Sequence, residues 1–376
     1  MGSCEQIHGK VAAGRLPAAL ARQGQLPADP PPDAPSQELD YSSFAIGFDE
    51  RDRARLHRLW DGVIDSGRWS EGDLTRAFEE RWSAWNGLPA VALGSWSGGA
   101  LAALDYAGVA GETVLCPSNT FMATPLAAMR AGARVEFVDC NREDLCMSFA
   151  DLERKLAQHR PRAVVLVHIG GHIAFDSERI AELCRAEGVF LLEDCAHAHG
   201  ANWNGRRPGS YGDAGVYSFY ATKTVSTGEG GMLVTRDPQL VEFARAFRNY
   251  GKPDYAVAGL NFRMNEFTAA IGLVQAERLE EIVAWKNAVA RAHLDPLHPG
   301  RLRLPDGMTS GLYKYVTFDP IERSTGKVYD QPCHRIMGHD VDLPNSDWVA
   351  RHHWCVPLYY RPVNGDGDFE RHFGST

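Results

Sequence analysis

The feature that most constrains this chain is a regular alternation of short apolar runs with helical stretches between residues 91 and 234. Seven of the runs have the length and composition of buried strands. They are Val91–Leu93, Thr113–Cys116, Arg134–Val138, Ala163–His168, Phe190–Leu192, Gly215–Phe219 and Met232–Val234. Strands separated by helices, such as those predicted over Ala123–Ala131 and Asp176–Glu187, are typical of an α/β fold with a mainly parallel sheet. Since ligands of such sheets bind beyond the carboxyl ends of the strands, the residues after each strand are the candidate site.

The regions on either side of this alternation have a different character. Residues 1–40 are rich in Ala, Pro and Gln, which predicts a disordered N-terminal tail. Apolar residues at helical spacing predict one long helix from Asn265 to Ala290, and shorter mixed signals follow, with a strand at Tyr313–Phe318. We therefore predict a large α/β domain with a seven-stranded sheet over residues 41–262 and a smaller C-terminal α+β domain over residues 263–376.

The composition narrows the possible classes of partner. A formal net charge of −9 argues against a broad surface for nucleic acid or anionic membranes, although a local pocket can carry the opposite sign. No run approaches the roughly 20 apolar residues of a membrane span, and the N-terminus lacks the pattern of a secretory signal. None of the eight cysteines forms a CxxC pair. These features predict a cytoplasmic protein without nucleic-acid or membrane partners.

The first two strand ends carry features that suit a phosphorylated, planar ligand. The turn Gly94-Ser95-Trp96-Ser97-Gly98-Gly99 follows the first strand and opens a helix, where backbone N–H groups and the helix dipole favour a phosphate. A plain tight turn accounts for this segment equally well. Phe121 follows the second strand, where an aromatic ring could lie flat on a planar cofactor, or could belong to the core.

The third strand end places a carboxylate after an apolar run, at Asp194. A buried carboxylate needs a cation or a donor to remain ionised, and a pyridine nitrogen held in its protonated form would be such a partner. His197 and His199 follow closely, but two histidines at this spacing, without further ligands in the sequence pattern, are poor evidence for a metal. We predict no metal site.

The fourth strand end leads to Lys223, among small and hydroxyl residues and before the glycine-rich segment Thr227–Gly231. A lone lysine after a strand is usually a solvated surface residue. In a recessed site its amine would have a lowered pKa, so that it could attack a carbonyl and later carry a proton.

Taken in order, these segments resemble the DegT/StrS family of sugar aminotransferases, which depend on pyridoxal 5′-phosphate (PLP) and have the aspartate-aminotransferase (type I) fold. The likeness runs from about Phe44 to Leu358. The stretches that carry it are Glu193–Ala201, Gly209–Asp213, Ser218–Lys223, Thr227–Gly231 and Gly259–Met264.

The resemblance implies roles for individual positions in the catalytic centre. Lys223 matches the Schiff-base lysine, and Asp194 matches the partner of the pyridinium nitrogen. His197 matches the residue beside the 3-oxygen of the cofactor ring, and Phe121 matches the aromatic residue stacked on that ring.

The resemblance also implies how the phosphate is held. Ser97, Gly98 and Ser218 match phosphate contacts. Asn261 matches an asparagine that reaches the phosphate from the neighbouring subunit, so a homodimer with shared active sites is expected.

The activity implied is transfer of an amino group from L-glutamate or L-glutamine to a keto-sugar, most simply a nucleotide-linked keto-deoxyhexose, with pyridoxamine phosphate as the intermediate cofactor form. Family members that aminate keto-cyclitols or form aminohydroxybenzoate are alternatives, and a non-catalytic PLP-binding regulatory partner is a remote one. Sugar dehydratases of this fold carry His where this chain has Lys223. Substrate selection is expected to involve the segments Ser66–Gly72, His168–His172 and Tyr329–His334.

Overall fold

A computed structural model describes residues 50–321 and 324–358 of the chain. Its strands are β1 Ala90–Leu93, β2 Thr113–Pro117, β3 Arg134–Val138, β4 Ala163–Val167, β5 Phe190–Asp194, β6 Asn202–Trp203, β7 Ala214–Ser218, β8 Gly231–Thr235, β9 Met308–Thr309, β10 Tyr315–Thr317 and β11 Trp354–Val356. Its α-helices are α1 Glu50–Ser66, α2 Asp73–Asn86, α3 Trp96–Ala107, α4 Ala123–Arg130, α5 Phe149–His159, α6 Ser177–Ala186, α7 Pro238–Phe247, α8 Glu266–Glu277, α9 Leu279–Val289, α10 Cys333–Ile336 and α11 Pro344–Arg351, and a π-helical segment covers Ala290–Leu294. The predicted tail, residues 1–40, lies outside the described residues.

The central sheet has seven strands in the order β1-β8-β7-β5-β4-β2-β3. The pairs β2–β3, β2–β4, β4–β5 and β5–β7 are parallel, whereas β8 is antiparallel to both of its neighbours, β1 and β7. Six strands therefore point the same way. All seven predicted strands are present, and the predicted α/β fold with a mainly parallel seven-stranded sheet is confirmed.

The strands are continuous apolar runs because helices cover both faces of the sheet. Every residue of β4 is buried, as is every residue of β2, β7 and β8. A strand that is solvated on one face alternates apolar and polar residues, but a strand covered on both faces does not need to. The lack of alternation in the sequence is thus explained by the layered architecture.

The predicted long helix is wrong in one respect, because it breaks at Arg278 into α8 and α9. Arg278 leaves the ideal helical backbone (φ −103°, ψ 0°), and its side chain forms ion pairs with Asp52 on α1 and with Glu281 on α9. The apolar spacing continues across the break, so the sequence pattern contains no sign of it.

The predicted domain boundary at residue 263 stays a prediction. Residues of α8 and α9, including Ala269 and Leu273, belong to the same hydrophobic cluster as Phe78 on α2 and Tyr217 on β7. This packing joins α8 to the large domain. A separate small cluster includes Val289, Leu294 and Tyr315.

The described residues also bear on membrane association and on the state of the cysteines. None of the helices in these ranges is both long enough and apolar enough to cross a membrane. The seven cysteines of the same ranges are buried and free of disulfide bonds. Burial raises the pKa of the Cys195 thiol well above its usual value, so this cysteine, next to Asp194, is not a reactive thiolate.

Candidate active site

The four predicted strand ends meet at one edge of the sheet. Since β1, β2, β5 and β7 run in the same direction, their carboxyl ends lie side by side, and the turns that follow them form a single surface. Gly231 on β8 pairs with Leu93 on one side and with Ser218 on the other. The turn that opens α3 and the end of β7 are therefore brought within two strands of each other.

Asp194 is the last residue of β5 and is only 6% exposed. Its carboxylate accepts hydrogen bonds from the Thr124 hydroxyl (3.1 Å) and the Ala196 N–H (3.0 Å). Burial raises the pKa of Asp194, while the Ala196 N–H, the positive charge of Lys223 and the Thr124 hydroxyl oppose that effect. Among the described residues no cation is in ion-pair contact with it. The carboxylate can therefore accept a cationic group from a ligand.

Lys223 lies beside this carboxylate, close enough for their charges to interact. Its Nζ is 4.6 Å from the centroid of the Tyr313 ring, and the hydroxyl of the adjacent Thr222 is 3.0 Å from the Tyr313 hydroxyl. Burial lowers the pKa of Lys223 to about 8; Asp194 raises it and Lys314 lowers it further. A substantial fraction of the amine is then neutral near physiological pH, as a nucleophile requires.

His197 is held between two tyrosine rings. Its imidazole stacks on Tyr313 (centroids 4.2 Å apart) and, less closely, on Tyr329 (5.9 Å). The N–H of Gly170 donates to Nδ1 at 3.4 Å, which leaves Nε2 to carry the proton. Burial and the nearby Lys223 hold the pKa of His197 well below its usual range. A neutral ring with one N–H can donate a hydrogen bond to an oxygen of a ligand.

Neither His197 nor His199 belongs to a group of three metal-type ligands within the part of the chain that the structure describes. The two such groups are Asp144 with Cys146 and His172, and His168 with Glu193 and Cys195. In the first group the Asp144 carboxylate accepts the N–H groups of Cys146 and Phe175. The prediction that the two histidines do not form a metal site stays a prediction.

The turn that opens α3 has the features of an anion site, although one of its N–H groups is already used within the protein. Ser97 is exposed in the first turn of α3, but the N–H of Gly98 already donates to the hydroxyl of the N-cap residue Ser95 at 3.2 Å. A Cβ at Gly98 would lie 3.0 Å from the Phe262 side chain, so a larger residue there would require that ring to shift. Ser218 is buried, and its hydroxyl accepts the Tyr220 N–H at 3.3 Å, which leaves the hydroxyl proton available.

Phe121 and Asn261 are both at the surface of this chain. Phe121 is 65% exposed, so the alternative that it belongs to the core is wrong. An exposed phenylalanine beside Thr124, the donor to Asp194, is placed where a ring-shaped ligand could cover it. Asn261 is exposed, and its side-chain oxygen accepts the Arg263 N–H at 3.3 Å. Whether it reaches a neighbouring subunit stays a prediction.

Sequence reasoning missed several residues of this site. Thr124, Tyr313, Tyr329 and Lys314 were not assigned roles, although Tyr313 and Tyr329 lay in segments singled out as a strand and as a substrate-selecting region. The residues that flank His197 come from the C-terminal part of the chain, 132 positions away in the case of Tyr329. No local signal marks such a contact.

His168, which was expected in a substrate-selecting segment, instead has a structural role. It is fully buried; its Nδ1 accepts the Ala174 N–H (3.1 Å), and its Nε2 is 2.8 Å from the Glu193 carboxylate. Glu193 also accepts backbone N–H groups from Gly209, Tyr211 and Gly212 at 2.6–2.7 Å. This network anchors the loop that precedes β7.

Comparisons with known proteins agree with this arrangement. The model of the DegT/DnrJ/EryC1/StrS aminotransferase family matches residues 51–304. GDP-perosamine synthase of Escherichia coli O157:H7 is 34% identical over 59% of this chain and 62% of its own length, which is less than two thirds of that protein. The dTDP-3-amino-3,4,6-trideoxy-alpha-D-glucose transaminase of Micromonospora megalomicea subsp. nigra is 32% identical over 82% of this chain and 91% of its own.

A solved structure extends the likeness to three dimensions. S. venezuelae DesV, crystallised with a ketimine intermediate, superposes with a TM-score of 0.76 at 28% identity, over 82% of this chain and 90% of DesV. The fold and these matches define a PLP-dependent aminotransferase. More particularly, the match over residues 51–304 covers well over half of the chain. The chain belongs to the DegT/DnrJ/EryC1/StrS aminotransferase family.

Proposed function

We propose that this enzyme transfers an amino group from L-glutamate or L-glutamine to a nucleotide-linked keto-deoxyhexose, as a step of amino-sugar biosynthesis. The observation that carries the proposal is the pairing of the buried Asp194 with the partly buried Lys223 at the carboxyl edge of the sheet. Relatives named as a GDP-perosamine synthase and as a dTDP-amino-sugar transaminase support the class of acceptor.

The residues of the site fit PLP. A buried carboxylate with no direct cationic partner among the described residues suits a protonated pyridine nitrogen, and a lysine with a lowered pKa suits the cofactor's aldehyde. In this proposal Asp194 accepts the ring N–H, His197 donates to the 3-oxygen, and the exposed ring of Phe121 stacks on the cofactor. When bound, the cofactor supplies an electrophilic carbon and an electron sink.

The phosphate would be held by the N-terminus of α3 and by the carboxyl end of β7. Ser97 and Gly98 offer the N-terminus of α3, where hydrogen-bond donors and the helix dipole favour negative charge. Ser218 offers its hydroxyl from the end of β7. Asn261 would add a contact from the partner subunit of a homodimer.

The chain's own groups then perform the proton chemistry. Asp194 holds a proton on the pyridine nitrogen throughout, an electrostatic arrangement fixed before reaction. The neutral amine of Lys223 removes a proton from the α-carbon of the amino donor. In the second half-reaction the same amine returns a proton to the carbon of the acceptor that receives the nitrogen. A ping-pong scheme follows, since the donor's keto product leaves before the acceptor binds.

The test is replacement of Lys223 by Ala and, separately, by Arg. Both variants should lose multiple-turnover activity, because Arg retains the positive charge but cannot form an imine. Borohydride reduction of the wild-type holoenzyme should attach the cofactor to Lys223, as identified by mass spectrometry. Full turnover by either variant would refute the assignment.

A screen of substrates identifies which class of acceptor the enzyme uses. A nucleotide-linked ketohexose and a keto-inositol, each with glutamate and glutamine, separate the proposed activity from the keto-cyclitol alternative. An absorbance band of the holoenzyme that bleaches on addition of glutamate would exclude a non-catalytic regulatory role.

A further inference from the structure

A cluster of hydrogen bonds joins the C-terminal part of the chain to the turn that follows β2. The N–H of Cys333, the first residue of α10, donates to the carbonyl of Ser118 at 2.8 Å, and its thiol donates to the carbonyl of Thr120 at 3.1 Å. The N–H of His334 donates to the hydroxyl oxygen of Ser118 at 3.2 Å. All four residues are buried, and we call them together the α10 clamp.

The imidazole of His334 lies at the centre of the α10 clamp. Its Nδ1 is 2.6 Å from the Ser118 hydroxyl oxygen, and its Nε2 is 3.7 Å from a carboxylate oxygen of Asp347. A protonated Nε2 suits the carboxylate, whereas an unprotonated one would direct a lone pair at it. Nδ1 is therefore the acceptor, and the Ser118 hydroxyl donates to it. Because Ser118 and His334 are both fully buried, this series of contacts joins segments of the chain and does not present a nucleophile to a substrate.

The turn held by the α10 clamp carries two residues of the candidate active site. Phe121 directly follows Thr120, and because its ring is 65% exposed, its position depends on the backbone of this turn more than on packing. The Thr120 hydroxyl is 3.0 Å from that of Thr124, which donates to Asp194 at 3.1 Å. A shift of the turn would therefore displace both the aromatic ring and the donor to the carboxylate.

The α10 clamp also lies next to the residues around His197. Tyr329 comes shortly before Cys333 in the chain, and its hydroxyl is 3.5 Å from Nε2 of His197. The two rings are stacked, with centroids 5.9 Å apart. One set of buried hydrogen bonds thus connects the segment that contacts His197 with the turn that carries Phe121.

We infer that His334 is a positioning residue of this enzyme, which acts through the Ser118 hydroxyl to fix the turn that carries Phe121 and Thr124. This inference rests on the proposed function, in which Phe121 stacks on the cofactor and Asp194 accepts the N–H of its ring. It goes beyond that function by giving a role to a buried residue outside the set of cofactor contacts. A turn that is fixed before the cofactor binds loses less conformational freedom on binding, which strengthens the affinity.

The first measurement is amide hydrogen exchange of the cofactor-free protein. His334→Leu removes the acceptor of the Ser118 hydroxyl, and Ser118→Ala removes the hydroxyl itself. In both variants the exchange of residues 118–124 should become about tenfold faster, because the turn opens more often. His334→Asn keeps an acceptor near the position of Nδ1 and should restore most of the protection.

The second measurement is the affinity for PLP, titrated into the cofactor-free protein. His334→Leu and Ser118→Ala should each weaken PLP binding about tenfold, since the loss of one buried hydrogen bond is of that size. The visible circular dichroism of the bound cofactor reports how its ring is oriented, and its amplitude should fall in the same two variants. His334→Asn should lie close to the wild type in both properties.

Ser346→Ala is the matched control. Ser346 is also fully buried, and its hydroxyl donates at 2.7 Å to Asp139, the residue after β3. This variant loses the same kind of hydrogen bond between the C-terminal part of the chain and the end of a strand, but away from the turn after β2. Its thermal stability should fall about as much as that of Ser118→Ala, while the exchange of residues 118–124 and the PLP affinity should match the wild type.

The inference is overturned if Ser118→Ala and His334→Leu leave the exchange of residues 118–124 and the PLP affinity unchanged. It is also overturned if Ser346→Ala changes both properties as much as Ser118→Ala does, because a general loss of stability would then explain the effect. If His334→Leu does not fold, Ser118→Ala and His334→Asn decide the question by the same two measurements.

The proposed function is judged separately, by turnover of a nucleotide-linked keto-sugar in the wild type. Neither the hydrogen exchange nor the PLP titration requires a substrate. A wild type that binds PLP but aminates only a keto-inositol would refute the proposed acceptor and leave the role of His334 intact. A wild type that aminates the sugar, with a turn that exchanges equally in all variants, would refute only the role of His334.

Discussion

Glu193 and Asp194 are neighbours at the end of β5, and both are buried carboxylates, but the protein treats them in opposite ways. Glu193 receives three backbone N–H groups and the imidazole of His168. Asp194, on the other face of the strand, receives one hydroxyl and one N–H, and burial raises its pKa. A fully bonded carboxylate stabilises a fold, whereas one with spare acceptor capacity is available to a ligand.

The same contrast extends to the residues around each carboxylate. Glu193 anchors the loop before β7 by accepting hydrogen bonds from neutral backbone N–H groups. The Asp194 side collects groups whose pKa values are displaced by burial, including Lys223 and His197. Such displaced values concentrate where a protein carries out chemistry rather than where it only needs stability.

The largest expected effect is on the Asp194 side. Asp194→Asn keeps the shape but removes the charge that would hold a proton on the cofactor ring, and kcat should fall by about 10³-fold. Steady-state transamination with a saturating donor measures it. Thr124→Val removes one hydrogen bond and keeps the carboxylate, so it should lower kcat only about fivefold. A kcat for Asp194→Asn within tenfold of the wild type would break the comparison.

The second effect concerns stability and belongs to the Glu193 side. Glu193→Ala leaves the N–H groups of Gly209, Tyr211 and Gly212 and the ring of His168 without their acceptor. The free energy of unfolding should drop by about 3 kcal/mol, as expected when a buried hydrogen-bonded charge is deleted. Urea denaturation of the holoenzyme measures it.

Glu193→Gln provides the matched control, since one acceptor oxygen remains and the loss should be smaller. In both variants kcat per folded molecule should stay close to the wild-type value. A large fall in kcat with unchanged stability would mean that the two carboxylates do not have separate roles.

The smallest effect is a displacement along the pH axis. Because burial lowers the pKa of Lys223 to about 8, the amine is mostly protonated below that pH, and the reactive neutral fraction grows as the pH rises through about 8. Lys314→Gln removes a neighbouring cation and should move the midpoint upward, whereas Asp194→Asn removes the opposing anion and should move it downward. Site-resolved reductive methylation of the cofactor-free chain, read by mass spectrometry, follows the titration.

Glu193→Gln serves as the control in this titration, because it changes the other face of β5. Its midpoint should coincide with that of the wild type. If Lys314→Gln and Asp194→Asn displaced the midpoint in the same direction, the electrostatic account of Lys223 would be wrong.

Much of the architecture could be predicted from local patterns. The seven strands, the helices over residues 123–131 and 176–187, and the meeting of four strand ends all followed from run length and periodicity, and the structure agrees to within one or two residues at most element ends. The break at Arg278 did not follow, because the apolar spacing continues across it and the ion-pair partner of Arg278 on α1 is distant in the sequence. The apolar face of α8 does not reveal which domain it packs against, so the predicted boundary at residue 263 stays a prediction.

By itself, the sequence determined the fold class and the candidates Lys223 and Asp194, because strand and helix signals depend on short-range sterics and on apolar spacing. Only the tertiary structure decided which of two adjacent carboxylates is anchored, and which distant residues surround the lysine. Tyr313, Tyr329 and Lys314 reach the site through the packing of segments about a hundred positions apart. Contacts of that kind depend on the three-dimensional course of the backbone. Local residue patterns carry no information about it.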